Sequence, residues 1–287
     1  MLDELYWLFK VGRPKRKLTV FQLRNELNNY IQKPVFVLST GRCGTKWFSD
    51  LFAEDRSLSV FHAPTPNLSI QGKYAWEIAK SSNIKMSSMS GQLLAEIFFS
   101  GREQHLRYTA KAKKRYVETN NYITFFAPVL AELFPDAKFV HIIRNPVAFI
   151  RSGLDRSYYS PGNTDDIKRI RGDGIQSKHN WENLSRYGKI AWLWNETNDF
   201  IESFSRTIPQ ENFKTFRFDL TDSDGLIDMM QFLEANITLR QINTMLQVKK
   251  NVQKNRTAPE YKYWNRSYQE EVKSICSDLA AKYDFQL

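Results

Sequence analysis

The sequence predicts an α/β fold, a mostly parallel central sheet of about five strands flanked by helices on both faces. Three observations carry this. Short runs such as VFVLS (residues 35–39) and FVHII (residues 139–143) are almost wholly apolar, as strands covered on both faces are. Stretches with helical periodicity alternate with them. A glycine-rich turn, TGRCGTKW, joins the first run to the first helix.

Taken in order, residues 35–39 read as a buried strand and residues 45–53 as a helix burying Trp47, Phe48, Leu51 and Phe52. A second strand spans 57–61 and is broken by the loop holding Pro64 and Pro66. Residues 65–115 read as a helical insertion or lid, with a helix over 86–99. A third strand is expected at 116–118, then a helix over 126–134 stopped by Pro135-Asp136. FVHII is the fourth strand and 147–159 its following helix. A long helix over 184–205 leads to a fifth strand, 213–218, and to helices near 224–235, 238–248 and 267–283. The whole chain, 1–287, reads as one domain with an N-terminal extension over 1–32, since single cores grow to roughly 250–300 residues.

Composition is that of a globular protein: 42% hydrophobic and 25% charged residues exclude disorder and collagen-like repeats. Two cysteines, Cys43 and Cys276, cannot make a disulfide framework or a zinc cluster. No apolar run approaches 18 residues, and the start places its basic run after its apolar part, the reverse of a signal peptide. The expectation is a reduced, soluble, cytoplasmic enzyme. Lys and Arg total 41 against 31 Asp and Glu, a net charge of +10 that favours an anionic partner without naming it. Basic residues cluster at 10–17, 102–115 and 249–256, but no zinc finger, helix-turn-helix or RNP-like strand accompanies them. A non-catalytic polyanion binder is therefore one reading to carry.

The turn after the first strand has stronger physical content. Gly41 and Gly44 let the backbone wrap an anion, and the helix beyond aims its free N–H groups and positive dipole end at it. Arg42 and Lys46 add cations, and Thr40 and Thr45 add hydroxyls. A Walker A loop needs G-x-x-x-x-G-K-[ST]. Here two residues separate the glycines, and Thr45 follows Gly44. Arg144 also stands where a magnesium-binding carboxylate is wanted, leaving Asp219 as the nearest substitute. A P-loop kinase or hydrolase is thus the second alternative. A phosphatase built on Cys43 would need an Arg six residues on, and position 49 is Ser.

A second motif, KFVHIIRNPVAFIRSGLDRSYY, narrows the choice. Arg144 ends a buried strand, Pro146 opens a helix, and Ser152 lies eight residues after Arg144, two turns in, so the two side chains could clamp one phosphate. Together the two motifs resemble those of the sulfotransferases that use 3′-phosphoadenosine 5′-phosphosulfate (PAPS), and the P-loop-like architecture of that family is implied. The tail KNRTAPEYKYW resembles the family's C-terminal cofactor segment. The resemblance covers most of 33–287 and is weakest over 63–115 and 160–185.

The resemblance implies that residues 40–47 (Thr40, Gly41, Arg42, Cys43, Gly44, Thr45, Lys46 and Trp47) hold the 5′-phosphosulfate, with Trp47 either near the adenine or in the core. Arg42 takes the position of a catalytic Lys at the bridging oxygen, Cys43 that of a common Ser, and Lys46 that of a Thr. Arg144 and Ser152 form the 3′-phosphate pair, and Lys254 and Arg256 are further phosphate ligands. The reaction implied is in-line transfer of a sulfuryl group to a hydroxyl or amine, leaving adenosine 3′,5′-bisphosphate, with no metal required. His62, directly after the second strand, is the candidate general base because its ordinary pKa suits proton abstraction near neutrality. Glu118, at the end of the third strand, is the rival. The 102–115 cluster fits an anionic acceptor such as a uronate-bearing glycan, or else a solvated face.

Overall fold

The computed structural model of the chain describes residues 31–81, 84–173, 180–248 and 257–287. Strands β1 (Val35–Leu38), β2 (Leu58–Phe61), β3 (Arg115–Glu118), β4 (Lys138–Ile143) and β5 (Phe213–Arg217) form a sheet in the order β2-β3-β1-β4-β5. Every neighbouring pair is parallel, with Leu38 beside His141, Phe61 beside Glu118 and Ile143 beside Arg217. Parallel pairing puts all the strand C-termini on one edge. The residues that follow them, Ser39, His62, Thr119, Arg144 and Phe218, therefore share that edge. The chain also reverses direction across the sheet here, since β1 lies between β3 and β4; such a switch point leaves a crevice for ligands.

Alternating side chains explain why both faces are covered. Phe36 and Leu38 point into one core with Phe98, Phe126, Phe139 and Trp194. Val35 and Val37 point into a second core with Phe48, Leu51, Leu226 and Ile242. The second is capped by α1 (Thr45–Phe52) and, further along the chain, by α7 (Ser223–Leu233) and α8 (Leu239–Gln247). The first lies under α2 (Ser69–Ser81), α3 (Met89–Lys111), α4 (Ala127–Leu133), α5 (Pro146–Leu154), α6 (Arg186–Ser205) and α9 (Arg266–Lys282).

Two helices differ in extent from expectation. The helix expected over 86–99 starts at a Ser88 cap, whose hydroxyl accepts from the Gly91 amide, and runs on to Lys111. Arg102 and His105 stand on its buried face, which hides the apolar periodicity. Residues 69–111 thus supply the crossover between the parallel strands β2 and β3, and α3 is built into the core. The helix expected to reach Tyr159 stops at Leu154. Left-handed backbone at Ser157 and Tyr159 turns the chain there, and Arg186 donates to the carbonyls of Leu154 and Tyr158. Among the described residues, no helix is long and apolar enough to cross a membrane.

Candidate active site

The turn after β1 coils tightly because Gly41, Arg42 and Gly44 all take positive φ, at 74°, 58° and 72°. A side chain at Gly44 would place its Cβ 2.3 Å from the Phe218 ring, so close approach as well as φ demands glycine there. The strand end is pinned by Thr124, whose hydroxyl accepts from the Ser39 amide and donates to the Ser39 carbonyl, both at 3.1 Å. Gly44 caps α1 without any side-chain hydrogen bond, leaving the first-turn N–H groups, beginning at Thr45, free to face an anion. Cys43 is fully buried, its thiol donates to the Gly41 carbonyl, and burial pushes its pKa up. Such a thiol is inert, which removes the phosphatase reading.

The structure joins the two motifs directly. Arg42 Nε donates to Ser152 Oγ at 3.0 Å, and Arg144 Nη1 donates to the Arg42 carbonyl at 2.7 Å. The Arg144 guanidinium also lies over the Phe218 ring, and the Trp194 indole holds the Arg144 carbonyl at 2.9 Å. Burial, followed by the charge of Arg156 and then that of Arg144, lowers the Arg42 pKa, with Tyr158 and Cys43 opposing. Three arginines, Arg42, Arg144 and Arg156, thus gather near a glycine-rich turn and a helix N-terminus, an arrangement whose chemistry suits an anion.

His62 follows β2 on the same edge. Its Nδ1 lies 2.9 Å from the Thr119 carbonyl and 3.0 Å from the Thr119 hydroxyl. A carbonyl only accepts, so Nδ1 carries the hydrogen and Nε2 keeps its lone pair, as a general base requires. Burial is the main cause lowering its pKa, helped by Lys46 and opposed by the Thr119 bond and by Asp50. The imidazole is thus neutral at physiological pH.

Glu118 is a correction. Its side chain has no exposed surface, and Arg102, equally buried, clamps both carboxylate oxygens at 2.7–3.0 Å. The Tyr116 hydroxyl and the Asn120 amide donate to it as well. Burial alone would raise the Glu118 pKa, but the Arg102 charge and these hydrogen bonds outweigh it and hold the pKa below the usual carboxylate range. A sealed, fully paired carboxylate cannot take a proton from a substrate. Instead it anchors the edge: Arg102 also donates to the Pro66 carbonyl, and Asn120 to the Asn67 carbonyl.

Lys46 pairs with Asp50 one turn on at 2.7 Å while remaining 44% exposed, a contact worth only about 0.5 kcal/mol that a stronger anion can displace. The Trp47 indole N–H is spent on the Met245 carbonyl, and its ring meets Phe48 edge-on, so it packs α1 against α8 and is only half-buried. Lys254 and Arg256 lie outside the described residues. The 102–115 cluster is also corrected as a site for an anionic acceptor. Arg102 is buried, Arg107 pairs with Glu103, and Arg115 donates to the carbonyls of Lys33 and Leu233. Residues 111–115 lead into the start of β3, at the sheet edge opposite the site. Thr119, Tyr158 and Phe218 complete the surroundings and carry no signal of their own in the sequence, although Thr119 and Phe218 directly follow strands, the one positional clue available.

A glycine-rich turn after β1, hydrogen-bonded to Ser152 and Arg144 of the segment after β4, sits at the strand ends of a five-stranded parallel sheet and defines the class as α/β. A model described as the sulfotransferase family matches residues 34–220, and the chain belongs to that family. Among solved structures, a sulfotransferase domain from the curacin biosynthetic pathway superposes with a TM-score of 0.53 at 14% identity, over 90% of this chain and 99% of that one. Sulfotransferase STF9 from Mycobacterium avium gives 0.51 at 14% identity, over 99% and 85%. A sulfotransferase domain from the olefin synthase of Synechococcus PCC 7002 gives 0.51 at 13%, over 96% and 98%. At such identities the likeness is one of fold. No curated protein matches the chain.

Proposed function

We propose that the protein transfers the sulfuryl group of PAPS to a hydroxyl or amine of an acceptor by in-line displacement. The observation that carries this reading is the Arg42–Ser152 hydrogen bond, which fuses the two phosphate motifs into one cationic cleft. In this reading the turn and the α1 N-terminus hold one phosphate, and Arg144 with Ser152 the other. The acceptor oxygen attacks sulfur, a sulfur–oxygen bond forms, and the bond from sulfur to the bridging 5′-phosphate oxygen breaks. Arg42 bears on that leaving oxygen, Lys46 on the sulfuryl oxygens once drawn from Asp50, and His62 Nε2 takes the acceptor proton. Positioning and preorganised charge do the catalytic work in such transfers. A thermal-shift measurement tests the reading. Adenosine 3′,5′-bisphosphate at millimolar concentration should raise the melting temperature in magnesium-free buffer; no shift, with one from Mg-ATP instead, would favour a nucleotide hydrolase.

A further inference from the structure

A small cavity of about 60 Å³ adjoins the cleft, walled by Ser39 and Thr40 at the end of β1, by Lys73 of α2, and by Tyr122, Lys168 and Arg169. Its size suits one functional group of a ligand rather than a whole molecule. Three of its wall residues are cations and none is a carboxylate. The acids that pair with these cations stand outside the walls: Glu77 is 3.7 Å from Lys73, Asp165 is 3.1 Å from Lys168, and Asp166 holds Arg169. The Asp165 side chain is 65% exposed, so water screens its charge, whereas those of Lys73 and Lys168 are 22% and 24% exposed. The Arg169 guanidinium stacks 3.6 Å from the centre of the Tyr158 ring, which fixes it in place, and Lys168 lies beside Tyr122 in the same wall. Tyr158 lines the same cavity and is close enough to Arg42 to act on its charge. The cavity therefore opens beside the group that would meet the leaving oxygen.

We propose that this cavity receives an anionic substituent of the acceptor, a carboxylate or a sulfate ester, and that Lys73 and Lys168 select for it. The inference rests on the sulfuryl-transfer reading and names the acceptor class for the same site. Partly buried cations form strong charge-assisted bonds to an oxyanion, and a site built for such a group discriminates against the analogue lacking it. Calorimetry on the full chain tests this, with adenosine 3′,5′-bisphosphate saturating so that the phosphate cradle is filled. The probes are 4-hydroxybenzoate, 4-hydroxyphenyl sulfate and neutral 4-hydroxybenzyl alcohol. At least one charged probe should bind about tenfold or more tightly than the alcohol, and the arms show which oxyanion fits. The double variant Lys73→Gln, Lys168→Gln should lose that preference while keeping its nucleotide affinity, and Lys168→Arg should retain most of it. Equal binding of charged and neutral probes, no binding of the charged probes, or a preference that survives the double variant overturns the proposal. Failure of the nucleotide itself to bind marks the separate failure of the sulfuryl-transfer reading, and the same probe comparison without nucleotide then still decides the cavity.

Discussion

Replacing Glu118 by glutamine removes the negative charge that neutralises Arg102 inside the first core. Both side chains have no exposed surface, so Arg102 would keep its charge with no counter-ion and no water. Breaking a buried pair in this way costs about 3–5 kcal/mol. That is a large share of the roughly 5–15 kcal/mol by which domains are stable. It corresponds to a fall in melting temperature of roughly 6–20 °C for a domain of this size. Urea unfolding at pH 7, followed by circular dichroism, gives the number directly. Pairing the change with Arg102→Met removes the stranded charge, and at least half of the lost stability should return, because apolar replacement of a whole buried pair is often close to neutral. Glu118→Gln within about 1 kcal/mol of the parent would refute the structural role given to the pair. A large loss of turnover without loss of stability would return Glu118 to consideration as the base.

Arg144→Ala removes a charge-assisted phosphate contact worth roughly 1.5–3 kcal/mol. Affinity for adenosine 3′,5′-bisphosphate should fall more than tenfold while that for adenosine 5′-phosphosulfate barely changes; equal losses would show a role in folding only. Arg42→Ala should cut turnover by about 10²–10³ and weaken nucleotide binding with it, by analogy with loss of an oxyanion-hole donor; unchanged steady-state rates would contradict this. His62→Ala should keep nucleotide affinity and lose about 10²–10⁴ in turnover. Because burial lowers the His62 pKa, the parent's acidic limb should lie below pH 6.5, and it should vanish in the variant. Burial, with Arg102 adding to it at His105, also lowers the pKa of His105 and of His141 to about 4. The unfolded chain binds protons at these sites near pH 6.5 and the folded chain does not, so stability falls as pH drops below 6.5, by on the order of 2 kcal/mol for each at pH 5. Glu118, with its lowered pKa, adds to the loss only below about pH 4.5, which leaves the window above it to the histidines. Equal urea stabilities at pH 7.5 and 5.0 would contradict the buried neutral imidazoles.

The strands and the edge they share were readable because buried parallel strands are apolar throughout and because residues at strand ends must meet on one side of a parallel sheet. His62 and Arg144 could be placed from that alone, whereas Arg42 needed the glycine-rich turn and Ser152 its spacing from Arg144 along the helix. What could not be read was pairing. Glu118 ends one strand and His62 follows another, and only the fold shows Arg102, sixteen residues earlier on α3, sealing the one while the Thr119 carbonyl orients the other. The same Arg102 made a buried helix face look like a solvated basic run. The cations that line the small cavity, Lys73 and Lys168, come from segments 95 residues apart and form no motif.

Isothermal titration with adenosine 3′,5′-bisphosphate and with adenosine 5′-monophosphate, in the presence of EDTA, tests most directly whether one cationic cleft grips both ends of the nucleotide. The 3′-phosphate meets Arg144 and Ser152 in this reading, a charge-assisted contact worth roughly 1.5–3 kcal/mol, so the bisphosphate should bind at least tenfold more tightly without any metal. Equal affinities for the two nucleotides, or binding that depends on added magnesium, would contradict it.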